Sequence, residues 1–156
     1  MIDPMERLKD IVDAGRAGIG RAREVEIALT GEDGGGVAMD AESFDAVAAH
    51  LLNNALEASP PDATVRVEVR LEALSMVVDI VDMGEGMSPE FVRDELFRPF
   101  ASTKGGHGIG VYQARELVRE AGGDLLVLSR PGSGTTMRLL LPMVRAAAMD
   151  TLREAA

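Results

Sequence analysis

From Thr64 to Leu71 apolar and polar residues alternate without a break, with Val65, Val67, Val69 and Leu71 on one side and Arg66, Glu68 and Arg70 on the other. A period of two predicts a strand with one buried face. Leu74–Val81 follows almost at once and is more apolar. Two strands so close in sequence point to an antiparallel hairpin rather than a parallel crossover. Upstream the period changes. Phe44, Val47, Ala48, Leu51, Leu52, Ala55 and Leu56 recur at helical spacing between Asp40 and Ser59. Asp40 is a good N-cap, Glu42 suits the first turn, and Pro60-Pro61 ends the helix.

The remaining elements follow from weaker patterns. Residues 5–20 predict a modest helix with Leu8, Ile11 and Val12 on one side, weakened by Gly15 and Gly18. Glu24–Leu29 alternates as a short strand, and Gly31–Gly36 is a loop. Ser88 and Pro89 signal the start of a short helix through Leu96. The glycine-rich run Gly105–Gly110 opens a helix to about Ala121. Asp124–Leu128 and Thr135–Leu141 predict two more strands joined by a Pro131-Gly132-Ser133-Gly134 turn, and residues 143–156 a last helix. The mixture predicts one sheet with helices on one face. Residues 1–23 read as a leading helix and linker, 24–142 as the main domain and 143–156 as a helical tail.

Composition narrows the function classes. Apolar residues make up 46% of 156, enough for one domain with a real core, yet aromatics are only 3%. The core must therefore be aliphatic. A net charge of -10 opposes binding to a nucleic-acid backbone. There is no cysteine, which excludes disulfides and thiol chemistry and accords with a reducing cytoplasm. No apolar run reaches the roughly 18 residues of a membrane span, and the first residues do not read as a signal peptide. Any membrane anchor of the full-length protein would lie outside this sequence.

Candidate chemistry lies in five places. On the helix from Asp40 to Ser59, His50, Asn53, Asn54 and Glu57 fill the arc opposite the apolar one. His50 and Asn54 stand one turn apart and point the same way. This is either an ordinary solvated face or a pair able to ligate a metal or orient water. Asp82-Met83-Gly84-Glu85-Gly86 closes an apolar strand. It can be a plain turn, or a carboxylate awaiting an exocyclic amine beside glycines that admit a flat ring. Phe97-Arg98-Pro99-Phe100 precedes Ala101-Ser102-Thr103-Lys104, and Lys104 can offer a positive charge to a phosphate. Gly105-Gly106-His107-Gly108-Ile109-Gly110 leads into a helix whose N-terminus favours an anion. Neither the dinucleotide fingerprint nor the P-loop pattern fits it. Thr135, in Gly134-Thr135-Thr136, can hydrogen-bond a base or a water, or simply be a strand residue.

In that order, these pieces resemble the ATP-binding domain shared by gyrases, heat-shock chaperones, histidine kinases and mismatch-repair ATPases, over roughly residues 24–142. The phenylalanine motif resembles the histidine-kinase branch, and the wording around Phe97–Lys104 and Gly108–Gly123 is similar to sensor kinases of the exosortase-linked kind. The resemblance implies an α+β, two-layer sandwich with a mixed, mostly antiparallel sheet. It implies ATP and Mg2+ as cofactors, with Asn54 as the metal ligand and Asp82 accepting from the adenine amino group, helped by a water shared with Thr135. Gly84 and Gly86 would let adenine lie close to backbone. Glu57, Ala58, Met87, Phe97, Phe100, Ser102, Thr103, Lys104, Gly106, His107, Gly108, Ile109 and Gly110 would complete the nucleotide site, with residues 97–108 as a lid. His50, Asn54 and Lys104 are the catalytic candidates.

Two departures stand out. His50 replaces the second Asn of many kinases and the catalytic Glu of the chaperone and gyrase branch. It could ligate metal, orient water, act as a base or simply pack. The phosphoacceptor histidine of a complete kinase is also missing, because residues 1–23 are too short for its helical hairpin and contain no His. The expected function is thus the catalytic domain of a sensor histidine kinase. It would donate the ATP γ-phosphoryl group to a histidine on a dimerisation domain outside this chain, which serves a response regulator indirectly. By itself the chain is expected to bind ATP without autophosphorylating. One alternative is a stand-alone regulatory kinase or nucleotide-gated partner of the anti-sigma type; another is an ATP-hydrolysing clamp of the gyrase or chaperone type, which wants a Glu where His50 stands.

Overall fold

The structure, a computed structural model, describes residues 2–17, 25–31, 35–98 and 110–144. In chain order the elements are α1 (Pro4–Ala17), β1 (Glu26–Gly31), β2 (Gly36–Val37), α2 (Ala41–Ala58), β3 (Thr64–Glu72), β4 (Ser75–Asp82), a short α3 (Pro89–Phe91) running into a π-helical turn (Val92–Leu96), α4 (Val111–Glu120), β5 (Asp124–Ser129) and β6 (Thr135–Val144). The sheet order is β1-β3-β4-β6-β2, with β5 also pairing β6. β1 runs parallel to β3 through the α2 crossover, and every other pairing is antiparallel.

The strict alternation in β3 does what its period requires. Val65, Val67 and Val69 are buried beneath the helices, joined by Met76, Val78 and Ile80 of β4 and Met137, Leu139 and Leu141 of β6. Phe44, Leu51 and Leu56 of α2, Leu8 and Val12 of α1, and Ala114 and Val118 of α4 supply the other layer of one continuous core. The leading helix is thus packed into the same core as the main domain. Asp3 Oδ1 accepts from the Met5 N–H at 3.0 Å to start α1, and Asp40 accepts from the Ser43 N–H at 3.0 Å to start α2.

The reverse side of the sheet carries no helix among the described residues. There Asp79, only 4% exposed, accepts from Arg138 Nε at 2.8 Å, Arg138 Nη2 at 3.0 Å and Arg70 Nη1 at 2.9 Å. Burial pushes its pKa up, but the guanidiniums of Arg138 and Arg70 outweigh that and hold the carboxyl below the usual aspartate range. The cluster clamps β3, β4 and β6 together.

Several boundaries differ from the sequence expectation. β6 continues to Val144 instead of ending at Leu141, because Met143 and Val144 pair with Val37 and Gly36. The last helix therefore cannot begin at 143, and residues 145–156 lie outside the described residues. Gly31 and Gly36, expected in a loop, are strand residues. The helix expected over 88–96 loosens into the π-helical turn after Phe91. The leading helix is described over Pro4–Ala17, and the rest of its expected span lies outside the described residues, as do residues 18–24.

Candidate functional site

Period-two alternation also decides where Asp82 points. Met76, Val78 and Ile80 face the helices, so Asp82, two residues on, faces them too. It lies opposite Thr135, the first residue of β6. At this end of the sheet α2 terminates at Ala58 and α3 begins. The result is a cleft of about 590 Å³ lined by Asn54, Glu57 and Ala58 of α2, Asp82, Glu85, Gly86, Met87, Phe91, Leu96, Thr135 and Met137. A smaller recess of about 180 Å³ adjoins it and shares Asn54, Phe91 and Leu96. His50, Gly110, Val111 and Gln113 complete that recess with Glu95 and Arg98.

Asp82 is 7% exposed, and its two oxygens have different duties. Oδ1 accepts from the Gly84 N–H at 2.9 Å and the Thr135 N–H at 3.1 Å. Oδ2 makes no hydrogen bond among the described residues and is available to a donor in the cleft. Burial pushes the carboxyl pKa up, and the two backbone donors oppose this only in part.

Gly84 and Gly86 have sharper reasons than expected. A Cβ on Gly84 would stand 2.6 Å from the Ala58 carbonyl oxygen, so the loop can pack on the end of α2 only with hydrogen there. Gly86 has φ +74°, and a Cβ would stand 1.9 Å from the Arg130 carbonyl oxygen. Gly86 lines the cleft. Gly84 does not, and its role is to seat the loop that aims Asp82.

On α2, Asn54 Nδ2 lies 3.2 Å from His50 Nε2. With Nδ2 donating to the imidazole, the carbonyl oxygen of Asn54 is left for a ligand at the junction of cleft and recess. Burial lowers the His50 pKa, opposed by the charge of Glu57. At the far end of the recess the Gly110 N–H is held by Gln113 Oε1 at 2.9 Å, fixing the start of α4. Among the described residues no cluster of three or more His, Asp or Glu could hold a metal. A cation here would rely on Asn54, ligand oxygens and water, which suits Mg2+.

Phe97 is placed beside the cleft rather than in its described lining. It packs against the core with the Arg115 guanidinium 4.0 Å above its ring. Leu96 and Phe91 line the cleft nearby. Phe100, Ser102, Thr103, Lys104, Gly106, His107, Gly108 and Ile109 lie outside the described residues. Sequence reasoning missed Glu85, Phe91, Leu96 and Met137 as lining residues. Met137 was within reach, because it shares the inward parity of Thr135. Ser129 was also missed. It accepts from the Met87 N–H at 2.8 Å and lies 2.7 Å from Thr135 Oγ1, behind the cleft.

The family model described as histidine kinase-, DNA gyrase B- and HSP90-like ATPase matches residues 39–145. The alginate biosynthesis sensor protein KinB of Pseudomonas aeruginosa is 30% identical over 128 residues, covering 80% of this chain and 21% of its own length. The chain thus spans about a fifth of that relative. The mycobacterial sensor histidine kinase MprB superposes with a TM-score of 0.70 at 25% identity, covering 91% of this chain and 95% of that one. Full-length ShkA in complex with AMPPNP superposes with a TM-score of 0.80 at 19% identity, covering 93% of this chain and 31% of ShkA, and shows the shared fold.

Proposed function

The chain belongs to the family of histidine kinase-, DNA gyrase B- and HSP90-like ATPases, and from that premise we propose that it is the Mg·ATP-binding catalytic domain of a two-component sensor histidine kinase. The observation that carries this reading is the division of Asp82. One oxygen is saturated by backbone and the other is open at the floor of a nucleotide-sized cleft.

Adenine would lie in the larger cleft, its amino group donating to Asp82 Oδ2, with Ala58, Met87, Leu96 and Met137 offering apolar contact. The phosphates would run past Asn54 toward Gly110 and the first N–H groups of α4, where a helix N-terminus favours anions. When bound, Mg2+ would neutralise phosphate charge, and Asn54 would hold it through the oxygen that His50 leaves free. The γ-phosphoryl group would pass to an imidazole nitrogen on a histidine-bearing dimerisation domain, with ADP as the leaving group, and onward to a response regulator. Such transfer asks this domain for positioning and charge neutralisation. Lys104 and the glycine run before Gly110 are proposed to complete the phosphate contacts.

The test is calorimetric titration of Asn54→Ala against the parent. The variant is expected to lose the magnesium-dependent increment of ATP affinity, about tenfold or more, while keeping its affinity for magnesium-free ADP. An undiminished response to Mg2+ in a folded variant would refute the assignment.

Asp82 also sets a pH dependence. Its pKa is raised above the ordinary 3.8 by burial, and only the ionised form accepts on both oxygens. ADP affinity is therefore expected to fall during acidification at a higher pH than an ordinary aspartate would dictate. Fold stability runs the other way. A carboxyl raised in the folded state costs stability when ionised, and that cost is relieved as pH falls through its folded pKa. Parallel binding and unfolding titrations separate the two slopes.

A further inference from the structure

Ser129 ends β5 behind the base-binding cleft and is not among its lining residues. Its hydroxyl meets three groups. The Met87 N–H donates to it at 2.8 Å, the Gly134 carbonyl oxygen lies at 3.2 Å, and Thr135 Oγ1 lies at 2.7 Å. A serine hydroxyl has one proton and two lone pairs. The Met87 N–H takes one lone pair. If the proton goes to the Gly134 carbonyl, the second lone pair accepts the Thr135 hydroxyl proton. Of the possible proton placements, this one lets Ser129 serve all three neighbours at once, as partly buried polar groups require.

The consequence falls on Thr135, which does line the cleft. Its proton is spent backwards on Ser129, so its oxygen turns only lone pairs toward a ligand. Asp82 Oδ2, ionised, also only accepts. We propose that Ser129 is a specificity-determining positioning residue, which withdraws the Thr135 proton and so makes the wall facing the purine six-position one of acceptors alone. At the six-position itself such a wall accepts from the amino group of adenine and repels a six-oxo oxygen, which would meet acceptors with no proton between them; the preference is carried by that contact, since the neighbouring N1 accepts in adenine and donates in a six-oxo purine. The assignment rests on the reading of this cleft as a purine nucleotide site. It adds a residue that touches no ligand yet fixes which purine fits.

Calorimetry with ADP and inosine diphosphate, the six-oxo analogue, tests it on the full chain. Ser129→Ala frees the Thr135 hydroxyl to turn its proton into the cleft. The ADP-over-IDP preference is expected to shrink about tenfold, the equivalent of one hydrogen bond. In a Thr135→Val background the same substitution is expected to leave the preference unchanged. Ser129→Thr, which keeps the hydroxyl on a strand that tolerates β-branching, should restore it. Ser129→Cys, similar in size but a weak acceptor, should behave as the alanine variant does and guards against simple misfolding of that variant. Equal losses for both nucleotides, or a drop in preference that persists without the Thr135 hydroxyl, would overturn the assignment and leave Ser129 a structural support. A parent chain that binds ADP no better than IDP would instead defeat the adenine reading of the cleft itself, and this assignment with it.

Discussion

Asp82→Asn is expected to weaken ADP and ATP binding alike, on the order of 100-fold, in a domain that stays folded. The substitution is nearly isosteric, so its effect follows from hydrogen-bond polarity alone. The asparagine carbonyl inherits the position of Oδ1, where the N–H groups of Gly84 and Thr135 both donate at 2.9 and 3.1 Å. The reverse orientation would set an NH2 group against two backbone donors. The NH2 group therefore falls where Oδ2 stood, and it confronts the adenine amine donor to donor. A charge-assisted hydrogen bond is lost and a repulsive contact takes its place. Stability should hold or rise slightly, because a buried carboxylate that pays for desolvation has been neutralised. Inosine diphosphate, with an oxygen for the new NH2 group to reach, should lose less than ADP. Calorimetry with the three nucleotides, beside a thermal melt, reads all of this. Loss of ATP affinity with ADP affinity intact would place Asp82 at the phosphates and refute its assignment to the base.

The legible part of this molecule is whatever obeys a short period. The alternation of Val65, Val67 and Val69 fixed the face of β3, and helical spacing fixed α2. Asn54 and His50 could be placed side by side from their four-residue separation. Asp82 was legible because an apolar strand ends on it beside glycines. What stayed hidden depends on partners far along the chain. Nothing near Ser129 announces that its hydroxyl serves Met87, forty-two positions earlier. The pairing of Gly36 with Val144 spans the domain, so both the short β2 and the true end of β6 were missed. Phe97 was recognised as part of a motif, but its packing against Arg115 of α4 depends on how two helical segments meet. Nothing near Gly84 in sequence shows that the end of α2 sits against it. Local period fixes faces, whereas contacts between distant segments fix which polar atoms are already satisfied and which remain for a ligand.

The reverse face of the sheet offers a prediction of different character. Removing both guanidiniums with Arg70→Met and Arg138→Met strands Asp79, which is only 4% exposed, without a counter-charge. Breaking a buried ion pair in this way costs about 3–5 kcal/mol. The lower end applies here, because Arg70 and Arg138 keep 36% and 29% of their side-chain surface exposed and solvent screens part of the attraction. For a chain of this size, about 3 kcal/mol corresponds to a midpoint lowered by roughly 6–12 °C. The decisive readout is the sign of the pH dependence. In the parent, the Asp79 pKa is depressed in the folded state. Its contribution is therefore complete above the ordinary aspartate range and is lost as pH falls through the folded pKa. In the double variant only burial remains, the folded pKa rises above the unfolded one, and stability should increase as pH falls from neutral through it. Adding Asp79→Leu should recover most of the loss at neutral pH, since an apolar side chain needs no counter-ion. Nucleotide affinity should stay at the parent level in every folded variant, because Asp79 faces away from the cleft that Asp82 floors. Chemical denaturation between pH 4 and 8 measures the slope. An unchanged sign in the double variant would mean that water reaches Asp79, and that the clamp across β3, β4 and β6 contributes far less than its geometry suggests.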